Sequence, residues 1–292
     1  MLNDYIVSFC GNELIALDRT CGCAACSHPS GNCSGDCSIC LDQVHWGPKE
    51  GERIDYTCYK LLCNYVCKFA YRYMENILKL LRLCNLDSFG AIDVFSIGCG
   101  ATPDLMAFER TESIKTINYL GIDRNKLWEP IHKKIEEYCG LQHNTTIDLK
   151  RIDVFDTFDC IDYYSYSPNL VVIQYLISHL YNTAQQERIC ELYRLIVRLV
   201  NNNKRNGHPT LIIINDVDSY LKGRNLFCRL LNILEDEGIY GKAFAISNYA
   251  NGDLGKIRWG GNRMRKGRID YEYRASSDMS IEGAALIIEV QK

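Results

Sequence analysis

The chain has 292 residues, which suits one large domain or one domain with a small additional module. Hydrophobic residues make up 47% of the sequence and charged residues 24%, as in soluble proteins with a sizeable core. A formal net charge of -3 argues against a protein that coats nucleic acid by bulk positive charge, but it leaves room for a local basic site.

The first residues do not read as a targeting segment. Residues 1–17 have no basic start, and Asp4 and Glu13 interrupt their apolar character. No apolar run approaches the roughly 20 residues that span a bilayer. We therefore expect a cytoplasmic chain with no membrane partner, in a compartment that keeps thiols reduced. The 16 cysteines then need an explanation other than disulfide bonds.

Residues 21–40 are rich in cysteine, glycine and serine and hold almost nothing that could build a core. The cysteines of this segment are Cys21, Cys23, Cys26, Cys33, Cys37 and Cys40. They include two Cys-x2-Cys pairs, and such pairs let one turn supply two ligands of a tetrahedral zinc ion. The sequence therefore predicts a small zinc-binding module over residues 1–55, which metal–thiolate bonds stabilise in place of a core.

The number of metal ions stays open, because six thiols exceed the four ligands of one zinc ion. His28, His45 or Cys58 could complete a second site, and for the two histidines an ordinary polar loop is an equally good interpretation. An iron–sulfur cluster is the rival interpretation of the same cysteines. The polar stretch 46–53 reads as a linker to a second domain, residues 56–292.

The second domain begins with a helical pattern over 56–83 and then alternates between strands and helices. Predicted strands cover 91–97, 117–122, 147–152, 169–174 and 210–215, and the clearest helices cover 184–200 and 223–237. Late strands at 242–248 and 283–291 suggest an antiparallel edge. Near-continuous apolar strands separated by helices indicate an α/β fold, a mostly parallel sheet with helices on both faces.

The segment "VFSIGCGATPDL", residues 94–105, joins the first predicted strand to a helix. Gly98 and Gly100 permit a tight turn at the carboxyl end of the strand, where open parallel sheets bind their ligands. A dinucleotide needs a further glycine and an uncluttered helix N-terminus for its pyrophosphate, but this chain has Pro103 and Asp104 there. The Asp104 carboxylate opposes a phosphate, so the turn suits S-adenosylmethionine, which carries cationic groups and no phosphate.

Two further acids agree with an adenosine ligand. Asp123 ends the second predicted strand, where a carboxylate can accept hydrogen bonds from both ribose hydroxyls. Asp153 ends the third predicted strand and is a candidate contact for the adenine. For each acid a purely structural role, such as a helix N-cap, is the alternative.

Residues 91–216 resemble a class I S-adenosylmethionine-dependent methyltransferase with a Rossmann-like sheet. "FSIGCGATPDL" matches the first motif of that family, "GID" the second, "RIDVFD" the third and "NLVVIQYLISHL" the following strand and helix. The resemblance implies that Gly98, Gly100 and Asp123 bind the cofactor, with Asp153 at the adenine. The sequence departs from the family at Ser96, where an acid is frequent, so the methionine end of the cofactor could instead be held by Asp104.

Two absent motifs narrow the class of methyl acceptor. No Asn/Asp-Pro-Pro-aromatic motif and no Pro-Cys pair is present, which argues against two kinds of DNA methyltransferase. The corresponding strand end offers Gln174 as a cofactor or acceptor contact and His179 as a candidate general base. Asp216 and Asp218 could hold a polar acceptor or cap a helix.

Segment 256–274 holds seven basic residues against two acidic ones, with Trp259, Tyr271 and Tyr273 among them. Basic charge with interleaved aromatics suits RNA phosphates and unpaired bases. We therefore expect RNA as the acceptor, and a solvated hairpin is the alternative for this segment. The main alternatives for function are a small-molecule methyltransferase, with Tyr163, Tyr164 and Tyr166 around the acceptor, and a non-catalytic, zinc-stapled protein that binds a nucleotide or a partner.

Overall fold

The computed structural model describes residues 1–17, 37–46, 56, 58–86, 89–156, 167–219, 222–248, 252–253, 256–259, 262–263 and 268–291. Several predicted site residues lie outside these ranges: Cys21, Cys23, Cys26, Cys33, His28, Tyr163, Tyr164 and Tyr166. Expectations for them stay predictions.

The described elements follow one another as α1 (Leu2–Leu17), α2 (Cys37–Trp46), α3 (Tyr59–Leu81), β1 (Ile92–Ile97), α4 (Pro103–Glu109), β2 (Ile117–Ile122), α5 (Glu129–Cys139), β3 (Thr145–Lys150), β4 (Leu170–Gln174), α6 (Leu176–Asn182), α7 (Gln186–Arg205), β5 (Thr210–Asp216), α8 (Arg224–Asp236), β6 (Gly241–Ile246), β7 (Gly252–Asp253), β8 (Lys256–Trp259), β9 (Asn262–Arg263), β10 (Ile269–Arg274), α9 (Ser276–Met279) and β11 (Ala284–Val290). A short 3-10 helix at Lys126–Trp128 precedes α5.

Eight strands form the main sheet in the order β10-β6-β11-β5-β4-β1-β2-β3. All neighbours pair in parallel except β11, which runs antiparallel to both β5 and β6. The predicted mostly parallel sheet is therefore confirmed. Between β1 and β4 the strand order reverses, and such a switch point is where open α/β sheets bind their ligands.

The five strands predicted between residues 91 and 215 are all present, with ends shifted by at most two residues. The expected antiparallel edge is wrong in its position, since β11 lies inside the sheet and parallel β10 forms the edge. Six of the seven β11 residues are buried, so this strand is apolar on both faces, as an interior strand must be.

Helices cover both faces of the sheet, as predicted. One core joins α1, α3, α4 and α5 to the sheet, and the other joins α6, α7 and α8. Alternate residues of β4 serve the two cores, because Leu170 and Val172 pack into the first and Val171 and Ile173 into the second. Within the described residues, no helix has the length and apolar character needed to cross a membrane.

The N-terminal helix α1 belongs to the first of these cores. Leu2, Ile6 and Cys10 are at most 1% exposed and pack with residues of α3, α4 and α5. The division into domains 1–55 and 56–292 stays a prediction, and the described part of the first range contributes one helix to the core of the second.

Candidate functional site

A cleft of about 630 Å³ opens at the carboxyl ends of β1, β2 and β4, where the strand order reverses. Its walls come from α2 and α3 on one side and from α6 and the loop after β5 on the other. A recess of about 30 Å³ adjoins it at the glycine turn after β1. The cleft therefore occupies the position that the strand order predicts for a ligand.

The glycine turn takes left-handed backbone conformations, with φ of 69° at Gly98 and 49° at Gly100. A side chain at Gly98 would meet Leu176 at 3.2 Å, and one at Gly100 would meet Trp128 at 3.4 Å. Thr102 stands at the N-cap position of α4, but it is also left-handed, with φ of 56°, and its hydroxyl makes no hydrogen bond within the described chain. The two glycines adopt this conformation freely, so any backbone strain in the turn lies at Thr102.

The side chain of His132 contacts this glycine turn through a hydrogen bond. Its Nε2 lies 2.8 Å from the Gly100 carbonyl oxygen, and burial lowers the pKa of the imidazole to about 4. The ring is therefore neutral near pH 7, and Nε2–H donates to the carbonyl. Trp128, whose ring stacks on His132, continues into the cleft wall. Neither residue carries a sequence signal, because a histidine and a tryptophan near a helix start resemble ordinary core residues.

Asp123 directly follows β2, beside the glycine turn. Its Oδ2 accepts the Gly100 N–H at 3.1 Å and its Oδ1 accepts the Asn125 N–H at 2.9 Å. These two bonds fix the carboxylate at the edge of the cleft. The structure thereby places Gly98, Gly100 and Asp123 together, as the sequence predicted, and the binding role of these residues stays a prediction.

Asp104 lies in the first turn of α4 and lines the recess. It is 2% exposed, its Oδ1 accepts from the Tyr119 hydroxyl at 2.9 Å, and its Oδ2 has no hydrogen-bond partner in the described chain. Burial raises the pKa of this carboxyl group, against hydrogen bonds from Ser96 and Tyr119. A buried carboxylate oxygen without a donor favours a ligand that brings one.

Asp153 also lines the cleft, but it is already engaged. Its Oδ2 lies 2.7 Å from Nη1 of Arg188, and its Oδ1 accepts the Phe155 N–H at 3.0 Å. The Arg188 guanidinium in turn lies over the Phe155 ring. If Asp153 contacts the adenine as predicted, its carboxylate would do so while it also pairs with Arg188.

Aromatic rings cover the α3 side of the cleft. Tyr65, Phe69 and Tyr73 follow at four-residue spacing on α3 and form one stripe. The Tyr73 ring stacks on Tyr175 with centroids 4.2 Å apart, and Tyr65 meets Trp128 edge-on. Burial raises the pKa values of Tyr65 and Tyr73, so both stay protonated. This four-residue spacing is present in the sequence, but the same spacing is typical of residues that face a hydrophobic core.

The two predicted catalytic residues flank this aromatic wall. Gln174 lines both the recess and the cleft, and its Oε1 is buried without a hydrogen-bond partner in the described part of the chain. His179 lines the cleft from α6, with its ring stacked against Tyr56 at 6.0 Å. Tyr175 between them is left-handed, with φ of 55°. Both side chains can therefore reach a ligand in the cleft.

Asp216 and Asp218 have structural partners. Asp216 is buried at the end of β5, and its Oδ2 accepts the Ser178 N–H, which caps the first turn of α6. Asp218 forms a buried ion pair with Arg224 at 2.8 Å and accepts the Asn248 N–H. The described contacts favour capping and pairing over acceptor binding at these positions.

The cysteine segment enters the described residues only at α2. Cys37 and Cys40 are partly buried and pack, with Cys58, against a small cluster that contains Leu41 and Phe69. Asp42 and Val44 of the same helix line the cleft. Among the described residues, no group of three or more His, Cys, Asp or Glu side chains is placed to hold a metal. For His45 only the backbone is described.

In the basic segment 256–274, the side chains that the structure describes lie mainly on β10. This strand pairs with β6 at the edge of the sheet, and none of the described residues 268–274 lines the cleft. Arg274 pairs with Glu272 at 2.9 Å and lies over the Phe244 ring. The described contacts therefore stabilise the sheet edge, and RNA binding by 256–274 stays a prediction.

No protein-family model matches the sequence, and no curated protein sequence matches it. Several solved structures resemble the fold. A small RNA methyltransferase aligns at 13% identity and a TM-score of 0.44, covering 84% of this chain and 27% of that one. The methyltransferase subunit of a type I restriction-modification system from Streptococcus thermophilus aligns at 11% identity and a TM-score of 0.42, covering 82% and 51%.

A plantazolicin methyltransferase solved with S-adenosylhomocysteine aligns at 12% identity and a TM-score of 0.41, covering 97% of this chain and 99% of that one. The chain spans about half the length of the restriction-modification subunit. The structures named here are methyltransferases, but likenesses at these TM-scores establish no family.

Proposed function

We propose that this chain binds S-adenosylmethionine in the cleft beside Gly98 and Gly100 and transfers its methyl group to an acceptor. The observation that carries the proposal is the charge pattern at the glycine turn. The recess holds the buried carboxylate of Asp104, and the described residues that line it include no lysine, arginine or histidine. A cationic ligand suits this recess, and a phosphate would face the Asp104 carboxyl group with no basic side chain among the described lining residues.

The residues at the turn fit each part of this cofactor. Asp123 provides a fixed carboxylate for ribose hydroxyls, and a carboxylate has about four acceptor positions. Oδ2 of Asp104 offers an acceptor for the ammonium of the methionine end. Aromatic rings at Tyr65 and Tyr73 face the same space and favour a nearby cation.

When bound, the cofactor supplies a methyl group that its sulfonium has already activated. The chain then has to align the acceptor, exclude water from one side and stabilise the charge that moves during transfer. The stacked rings of Tyr73 and Tyr175 form a rigid apolar wall for that alignment. Gln174, which lines both the recess and the cleft, and His179, which lines the cleft, are the polar groups next to this wall that we propose for contacts with the cofactor or the acceptor.

RNA is the acceptor class that segment 256–274 predicts. Lys68 and Arg72 on α3 line the described rim of the cleft, but Lys68 pairs with Asp42 at 3.9 Å and Arg72 with Glu282 at 2.9 Å. A phosphate-bearing acceptor would therefore have to compete with these two acids for the cations. A small flat molecule is the second candidate, and the cleft volume of about 630 Å³ together with the aromatic wall favours it.

We also propose that the cysteine segment binds zinc. The support is its pair of Cys-x2-Cys spacings, and the second pair, Cys37 and Cys40, lies on α2 three residues apart. Because Asp42 and Val44 of α2 line the cleft, metal binding would help to position one wall of the site. Metal analysis of the purified protein distinguishes zinc from iron.

Calorimetric titration with S-adenosylmethionine and, separately, with ADP tests the ligand class. We expect micromolar binding of S-adenosylmethionine and at least roughly 10-fold weaker binding of ADP, since each 1.4 kcal/mol is tenfold in affinity. The physical reason is the Asp104 carboxylate, which attracts an ammonium and repels a phosphate. Equal or tighter binding of ADP would show that the turn holds a phosphate and would overturn the proposal.

A further inference from the structure

We infer that the methyl acceptor is a planar small molecule that carries a carboxylate, and that Lys222 binds this carboxylate together with Asn182. The inference rests on the proposed function, because it concerns the acceptor of the same reaction. Of the two acceptor candidates, the small molecule fits the charges of the cleft better than RNA does.

Lys222 lies in the loop after β5, where its partly buried side chain lines the cleft. Its Nζ donates to Oδ1 of Asn182, the last residue of α6, at 3.0 Å. Among the described residues, no acid forms a salt bridge with Lys222. A partly buried ammonium group whose partner is a neutral amide is stabilised further by an anion that a ligand brings.

The other cations of the described cleft lining are placed differently. They are Lys68, Arg72, Arg124 and Arg188. Three of them pair with acids of the cleft, at 3.9 Å for Lys68, 2.9 Å for Arg72 and 2.7 Å for Arg188. Arg124 donates to Gln185 Oε1 at 3.2 Å and directly follows Asp123, on the side proposed for the ribose. Of these described cations, Lys222 is therefore the one whose charge suits an acceptor.

The acids on the β5 side of the described cleft are engaged with other cations. Asp218 forms its ion pair with Arg224 at 2.8 Å and also accepts the Asn248 N–H. Glu282 lies just before β11, the neighbour of β5, and pairs with Arg72. Neither acid can neutralise the Lys222 ammonium without weakening its own ion pair, so an external carboxylate is the favoured partner.

Lys222 also lies apart from the residues proposed to hold the cofactor. The described lining of the recess at the glycine turn includes neither Lys222 nor Asn182. In the sheet, β5 is two strands from β1 and three strands from β2. At roughly 4.8 Å per strand, the loop after β5 starts about 10 Å from the glycine turn and about 14 Å from Asp123. This side of the cleft is therefore open to an acceptor while the cofactor is bound.

The aromatic wall supports a planar molecule between the cofactor and Lys222. Helix α6 starts directly after Tyr175, whose ring stacks on Tyr73 with centroids 4.2 Å apart, and it ends at Asn182. At about 1.5 Å per residue, the chain from Tyr175 to Asn182 spans about 10 Å. A flat molecule of about this length that lies against the two rings would bring a carboxylate at its far end to Lys222.

The charge of the described cleft lining as a whole favours one carboxylate over a chain of phosphates. The lining holds five acids, Asp42, Asp123, Asp153, Asp218 and Glu282, and five lysine or arginine residues. Several phosphates of an RNA would meet these acids and would have to displace them from their cations. One carboxylate needs only the ammonium of Lys222, a compact charge that requires no bidentate geometry.

The test uses the full chain, tritiated S-adenosylmethionine and the RNA, protein and metabolite fractions of a cell extract. We expect the label in the metabolite fraction, on a product with the near-ultraviolet absorbance of a conjugated ring. An anion exchanger should retain this product at pH 7 and release it at about pH 2.5, where a carboxyl group is neutral. Unreacted cofactor is a cation at pH 7 and is not retained.

Label in RNA or protein would refute the inference. A labelled metabolite that is not retained at pH 7 would refute it as well, and so would one that is still retained at pH 2.5, as a phosphate is. Cofactor binding with no labelled fraction would also count against it. Absence of cofactor binding would instead refute the proposed function itself.

The variant Lys222→Met removes the ammonium group at similar side-chain length. We expect the concentration of the metabolite fraction that gives half the maximal transfer rate to rise about 10- to 100-fold, as on loss of a hydrogen bond to a charged group. The maximal rate and the cofactor affinity should stay within about threefold of wild type, because Lys222 lies outside the recess. Lys222→Arg keeps the charge and should recover most of the loss.

Lys115→Met is the matched control. Lys115 is exposed and outside the described cleft lining, and its Nζ also donates to a neutral group, the Glu112 carbonyl oxygen at 2.7 Å. This variant should behave like wild type. An unchanged half-saturating concentration in Lys222→Met would refute the inference, and a loss of cofactor affinity would show that Lys222 binds the cofactor's own carboxylate instead. If Lys222→Met unfolds, the fraction and the charge of the wild-type product still decide.

Discussion

Replacement of Asp123 by alanine is expected to weaken S-adenosylmethionine binding about 100-fold or more, because hydrogen bonds to a charged group each contribute roughly 1.5–3 kcal/mol. The wild-type carboxylate is held by the N–H groups of Gly100 and Asn125, so it meets the ribose without reorganising. Alanine removes the acceptor for the ribose and also leaves those two N–H groups to find water. Calorimetry on the folded variant measures the loss.

The matched control is Asp148→Ala, which removes an exposed acid on the neighbouring strand β3. This variant should bind the cofactor like wild type, because Asp148 lies outside the cleft lining. Wild-type affinity in Asp123→Ala, with the protein folded, would show that this carboxylate only fixes the loop after β2. The ribose assignment would then be wrong.

Between pH 7 and pH 5 the folded state is expected to lose about 2 kcal/mol through His132 alone. Burial lowers the pKa of this histidine from 6.5 to about 4, so the unfolded chain binds the proton first. The stabilisation is complete above pH 6.5 and is lost as the pH falls from 6.5 towards 4. Urea unfolding at pH 7 and pH 5 measures it.

The variant His132→Gln cannot titrate but keeps an N–H donor for the Gly100 carbonyl. It should therefore lose about 2 kcal/mol less than wild type over the same pH range. His143→Gln, at an exposed histidine after α5, should keep the wild-type pH dependence. The same pH dependence in wild type and His132→Gln would mean that His132 is not buried as a neutral ring beneath the glycine turn.

The sequence was sufficient to predict the strands and the glycine turn that position the site. Apolar runs such as 169–174 predicted buried parallel strands, and the motif at Gly98 and Gly100 predicted a turn at the end of the first. Asp123 could be placed next to that turn because parallel strands end at the same edge of a sheet. Each of these predictions depends on local pattern and on one general rule of topology.

Other features depend on pairing over long distances in the chain, which no local pattern encodes. The place of β11 inside the sheet follows only from its antiparallel pairing with β5 and β6. Oε1 of Gln174 is oriented by Asn76, Asn215 and the backbone of Glu282, which lie up to 206 residues apart. The ion pair that occupies Asp153 joins it to Arg188, 35 residues along the chain, and no local pattern predicts it.

The central claim is that the space beside residues 98 and 100 receives the adenosyl sulfonium cofactor, and a crystal structure of the protein soaked with S-adenosylmethionine tests it most directly. The account predicts the ribose hydroxyls on Asp123, the ammonium within hydrogen-bond distance of Asp104 Oδ2, and the sulfonium next to Gln174. Density for the cofactor elsewhere, or for the cofactor in this space with its ammonium turned away from Asp104 and its ribose away from Asp123, would contradict it.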